Sequence, residues 1–178
     1  MMAILQVVLV FLILFFLHSY WVGRDKGENT TVMVSGKSFT VKKGKTQNES
    51  AQLLSEIDSR VIKIIARTTR KNQELGNLLN QKYSHKIISQ GRSDSETSYT
   101  ISKKKMVFCL ESKKTKQLHE INLMMYVVLH ELAHLGTLSV GHGQEFKDNF
   151  SILLNVAQEL KLYSSVSLSG KEYCGMTI

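Results

Sequence analysis

The residues best placed to do chemistry are His130-Glu131-Leu132-Ala133-His134. If this span is helical, His130 and His134 project from one face about 40° apart, because each residue turns the helix by about 100°. Two imidazole nitrogens can then meet one Zn²⁺. Glu131 lies about 60° further round, close enough to take a proton from a water beside the metal without ligating it. Zinc lowers the pKa of its water toward about 7, and a neighbouring carboxylate can act as general base during attack on a carbonyl.

A catalytic zinc site needs a third protein ligand and an open position. His142 is the leading candidate: it follows Gly136 and Gly141, which let the chain turn back, and directly precedes a helical pattern. Glu145 is the rival, since some zinc sites combine two histidines with a glutamate. Tyr173, and after it Tyr163, can donate a hydrogen bond to a tetrahedral oxyanion, with ordinary packing as the alternative role. His85 and His119 have no partner at metal-ligand spacing and read as surface or hydrogen-bonding residues. His18 lies in an apolar run and reads as interfacial. Cys109 reads as a small core hydrophobe, and the role of Cys174 is open.

Several elements must position these groups. Val32 to Val41 alternates around Gly36-Lys37, a hairpin pattern. Leu53, Leu54, Ile57, Val61, Ile64 and Ile65 recur at three and four residues, predicting a helix from about Glu49 to Arg70. Leu75, Leu78 and Leu79 predict a shorter helix, and Ile87-Ile88 opens a strand. Ser98 to Ser102 and Lys105 to Leu110 look extended. The motif helix is expected from Asn122, as N-cap, to Leu135, with Gly136 as its stop. Ile121 and Tyr126 are placed to form a hydrophobic staple across its start. A last helix is expected over 144–162, with Phe146, Phe150, Leu153 and Leu154 facing the core, then an irregular tail. This mixture predicts a small α+β domain over residues 32–178, after a linker over 24–31.

Residues 3–22 carry no charge and are rich in Leu, Ile, Val and Phe. Twenty helical residues span about 30 Å, so residues 1–23 are expected to be one transmembrane anchor contacting the lipid bilayer. No Lys or Arg precedes Arg24, which argues against a cleaved signal peptide. Arg24, Lys26 and Lys37 follow the run, and the positive-inside rule places the domain in the cytosol. Two cysteines agree with a reducing compartment, where a disulfide between them is not expected. Sequons at Asn29, Asn48 and Asn149 would matter only in a lumenal domain. The net charge of +8 lies entirely after the anchor. Its lysines are scattered with little aromatic interleaving, which reads as a solvated surface rather than a nucleic-acid interface.

The stretch His130-Glu131-Leu132-Ala133-His134, followed by Gly141-His142-Gly143-Gln144-Glu145-Phe146, resembles the WLM and SprT-like zinc metallopeptidases. Thr97 to Thr100, Phe108-Cys109-Leu110 and Glu172 to Ile178 extend the likeness to the WLM-type proteins of large DNA viruses. Here the gap before the third histidine is seven residues and lacks proline, where the WLM pattern usually has a shorter gap containing Gly-Pro. The resemblance implies a minimal zincin fold, with His130, His134 and His142 as zinc ligands and Glu131 as base. It implies that the strand over 105–110 edges the cleft and can pair with an extended peptide. The function expected is a membrane-anchored peptidase acting on protein or peptide substrates. The alternatives are a non-catalytic envelope protein that keeps zinc as a structural element, and a peptidase acting on DNA-linked proteins.

Overall fold

The computed structural model describes residues 28–92, 97–165 and 169–177. The anchor expected over residues 3–22 lies outside them. Among the described residues, no helix is long and apolar enough to cross a membrane. The protein is α+β, and its described residues form four α-helices, a five-stranded sheet and a two-stranded one.

The hairpin forms as its alternation predicts. Strands β1 (Asn29–Val34) and β2 (Lys37–Lys42) pair antiparallel, with Val34 opposite Lys37. Ser35 and Gly36 turn the chain at φ 50 and 77, the double positive φ of a tight hairpin turn. β1 starts at Asn29, so Asn29 to Thr31 belong to the sheet and not to the expected linker. Helix α1 (Gln47–Lys71) buries Leu54, Ile57, Val61, Ile64 and Ile65 on one stripe. It packs against β1, β2 and β3 (Ile88–Gln90). Asp58, buried on α1, takes Lys37 Nζ at 2.6 Å and the Tyr83 hydroxyl at 3.0 Å. It thereby joins the hairpin to the end of α2 (Gln73–Lys82). Asn72 caps α2, its Oδ1 accepting from the Leu75 N–H. Gly76 lets α2 lie against α1: a Cβ there would stand 2.3 Å from Thr69 Cα.

The sheet order is β1-β2-β3-β5-β4. β3 runs parallel to both β2 and β5 (Lys105–Phe108), while β4 (Tyr99–Ile101) runs antiparallel to β5. The expectation that the 105–110 strand edges the cleft is therefore corrected. β5 is paired on both sides, and β4 is the terminal strand. This order follows from burial. Met106, Val107 and Phe108 are all buried, as a central strand requires, whereas β4 is half-exposed.

Helix α3 (Ile121–Gly136) carries the histidine motif and touches β4, α1, α2 and α4 (Gln144–Glu159). Asn122 is not its cap. Glu120 holds that position without a side-chain capping hydrogen bond, and Asn122 instead exchanges hydrogen bonds with the Ser164 backbone. The tail, expected to be irregular, contains a small hairpin of β6 (Glu172–Tyr173) and β7 (Met176–Thr177). Cys109 and Cys174 form a disulfide, with Cα atoms 6.2 Å apart. This corrects the expectation of unpaired cysteines, and it pins the tail hairpin to the end of β5.

Candidate metal centre

The centre starts from one face of α3. Leu123, Met124, Met125, Val128, Leu129, Leu132 and Leu135 are buried, so the helix is fixed in the core on its other side. His130 and His134 are half-buried, one turn apart. The chain then leaves the helix, turns at Gly141 (φ 86) and brings His142 back over the motif. His142 Nε2 lies 3.1 Å from His134 Nε2 and 3.1 Å from His130 Nε2. One ring nitrogen of a neutral imidazole is either a donor or an acceptor, so it cannot satisfy two such neighbours well by hydrogen bonding. A tetrahedral ion with bonds of about 2.0–2.1 Å sets its nitrogens about 3.3 Å apart, close to this arrangement. The three residues therefore fit a zinc ion.

His130 and His134 are biased toward the neutral form that a metal ligand needs. Burial, reinforced by His134 and His142, pushes His130 down to about 4. Burial also lowers His134, with His142 and Lys103 adding to it. Phe146 on α4 supports all three rings, with centroids 4.9, 4.4 and 4.6 Å from those of His130, His134 and His142. Phe150 packs on His130 and Phe146. Both aromatics are legible in sequence as a core-facing stripe. Their use as the floor of a ligand cluster is not, because it depends on how α3 and α4 cross.

Two charged residues brace the loop between the second and third histidines. Lys103 Nζ donates to the carbonyls of Leu138 (2.6 Å), Ser139 (3.0 Å) and Thr137. From the other side, Glu145 accepts from the Leu138 N–H (2.7 Å), the Ser139 N–H (3.0 Å) and the Ser139 hydroxyl (2.7 Å). These bonds hold the Glu145 carboxyl down to about 2. Glu145 is thus a loop brace and not a member of the ligand cluster. Nothing local in sequence points to Lys103. It reaches the loop because Ser102 and Lys103 form a tight turn between β4 and β5, with φ of 49 and 54.

Glu131 is buried at 5% exposure, beside the cluster. Burial pushes its carboxyl up, while the Thr100 hydroxyl and His142 oppose that shift. Thr100 Oγ1 donates to Glu131 Oε2 at 2.7 Å. A cleft of about 460 Å³ opens over these groups, walled by β4 and by the loop at Val140. A second cavity of about 360 Å³ adjoins Glu131 and His130 on the other side, walled by Tyr126, Val127, Tyr173 and Met176. Tyr173 bonds through its hydroxyl to Ser98 Oγ and is 5% exposed. It therefore stands beside Glu131 rather than in the cluster. Tyr163 lies outside the cluster, its ring tilted against that of Tyr126 with centroids 6.2 Å apart. His119, expected to be unattached to any cluster, is buried with its Nε2 3.6 Å from Cys174 Sγ.

Fold and site define an α+β protein with a candidate three-histidine metal centre. The chain is 32% identical over 159 residues to the uncharacterized protein R325 of Acanthamoeba polyphaga mimivirus, covering 82% of this chain and 79% of that protein. It belongs to the same family as that viral protein. It is 37% identical over 79 residues to the uncharacterized protein 136R of Invertebrate iridescent virus 6, covering 43% of this chain and 44% of that one. It is 32% identical over 83 residues to the uncharacterized protein 042R of Invertebrate iridescent virus 3, covering 47% and 52%. No protein-family model and no solved structure matches the chain.

Proposed function

We propose that this protein is a zincin-like metallopeptidase, tethered to a bilayer through residues 3–22, that hydrolyses peptide bonds in protein substrates. The observation that carries the reading is the convergence of His130, His134 and His142 beside a buried carboxylate in an open cleft. When bound there, zinc would acidify a water and polarise a substrate carbonyl.

The protein's own residues supply the rest. Glu131 takes the proton of the attacking water. Thr100 occupies Oε2, so Oε1 is the oxygen that receives it. The same carboxyl, held up by burial, then delivers the proton to the leaving amine. The outer edge of β4 lies along the cleft, where an extended peptide would add as a further strand. Tyr173 is too well bonded to Ser98 to reach an oxyanion without moving, so its oxyanion role is not part of the proposal.

The test is Glu131→Gln in the full chain. The variant should keep one zinc per chain and lose about 10² to 10⁴ of the hydrolysis of a protein substrate, the usual contribution of a general base. Hydrolysis at the wild-type rate with zinc retained would overturn the mechanism.

A further inference from the structure

The tail hairpin has only two residues in each strand, yet Tyr173 and Met176 wall the cavity beside Glu131. A hairpin this short is not stable by its own backbone pairing. Its attachments run to the end of β5 and to the segment between β5 and α3, where Lys171 pairs with Glu120 at 3.6 Å and the Tyr173 ring lies 5.0 Å from that of His119. Cys174 is bonded to Cys109, which follows β5 directly. Ser98 Oγ accepts from the Cys109 N–H at 3.1 Å and also meets the Tyr173 hydroxyl. Glu172 accepts from the backbone of Lys113, three residues beyond Leu110. Cys174 sits at φ 53, a left-handed conformation that a non-glycine residue keeps only when its surroundings impose it.

We infer that Cys109–Cys174 is a reducible clamp that seats Tyr173 beside Glu131, and that its reduction by a dithiol unseats this wall of the candidate active site. The two sulfurs differ in access. Cys174 is 1% exposed, while Cys109 is half-buried and borders a small surface cavity with Lys113 and Lys116. A reductant thiolate therefore attacks Cys109 Sγ, forming a mixed disulfide and releasing Cys174 as a thiolate. His119 Nε2, 3.6 Å away, can donate a hydrogen bond to that leaving sulfur, which then takes a proton from water. The reductant's second thiolate displaces Cys109. Two electrons thus pass to the cystine, and the dithiol leaves as its own disulfide. Without the bond, nothing covalent opposes departure of the hairpin from β5. The consequence for hydrolysis rests on the peptidase reading; the clamp itself does not.

The experiment compares the zinc-loaded full chain in its disulfide form with the same chain after reduction, and with the double variant Cys109→Ser, Cys174→Ser. Two readouts are taken: hydrogen exchange of residues 169–177, and cleavage of a protein substrate. Reduction and the double variant should each speed exchange of that segment at least tenfold while protection of α1 persists. Cleavage should fall at least tenfold with one zinc retained per chain. Unchanged exchange at 169–177 overturns the clamp. So does a reduced chain that binds a second zinc at Cys109, His119 and Cys174 and keeps the hairpin protected. If the disulfide form cleaves nothing, the peptidase reading fails, and exchange still decides the clamp.

Discussion

Thr100→Val removes the hydroxyl that, among the described residues, bonds the proposed base. Valine matches threonine in shape but has no donor, so Glu131 Oε2 loses its 2.7 Å hydrogen bond. A hydrogen bond to a charged group is worth about 1.5–3 kcal/mol. Each 1.36 kcal/mol is a factor of ten, so losing it should slow hydrolysis on the acid limb of the rate profile by about tenfold to about a hundredfold. The sign follows from the groups around Glu131. Burial already raises its carboxyl and the Thr100 hydroxyl opposes this, so the variant's carboxyl rises further. Less of the base is ionised at a given pH, and the acid limb of the rate profile moves to higher pH. The three histidines are untouched, so zinc affinity should not change. The assay is kcat/KM across pH 5 to 9 beside a zinc titration. A wild-type rate and profile would refute the role given to Thr100. Parallel loss of zinc would show that it supports the metal site instead.

Lys103→Met removes the cation that gathers three carbonyls of the His134–His142 loop, and zinc affinity should fall about tenfold to a hundredfold, the usual effect of losing a ligand-supporting group; competition with a chelator measures it. Asp58→Ala leaves the Tyr83 hydroxyl buried without its acceptor, while Lys37, 38% exposed, can turn to water. Urea unfolding should then show a loss of about 1–3 kcal/mol. Stability should also fall on acidification. Burial holds His119 below its usual value, so the unfolded chain gains a proton near pH 6.5 that the fold resists. Stability present above that pH is lost as pH falls through the lowered folded value. Glu145, held at about 2, adds a loss in the same direction between about pH 4.3 and pH 2. Melting temperatures of the metal-free protein at about pH 7.5, 5.5, 4 and 2.5 check this, and a flat or rising series would contradict it.

The candidate ligand set was legible because it is local. His134 is four positions after His130, and glycines mark the return to His142. The helices were legible for the same reason, since one amphipathic stripe states each. What surrounds the ligands was not. Thr100 and Lys103 come from a strand and a turn some thirty residues upstream, and they reach Glu131 and the loop only through the sheet order. The resemblance implies that the strand over 105–110 edges the cleft, whereas its own residues suit an edge or a centre equally, and pairing decides between them. The Glu145 carboxylate sat at a plausible ligand position, and only the backbone amides of Leu138 and Ser139 reveal its other use. The disulfide is not legible because the positive-inside rule and the low cysteine count both point to a reducing compartment, and two cysteines 65 residues apart give no sign of contact.

X-ray absorption at the zinc edge of the loaded full chain, in its disulfide form, tests the centre most directly. The account predicts three imidazole nitrogens at about 2.0–2.1 Å and one further light atom from solvent, with no sulfur. A sulfur scatterer at about 2.3 Å, or a protein that takes up no zinc, would contradict it.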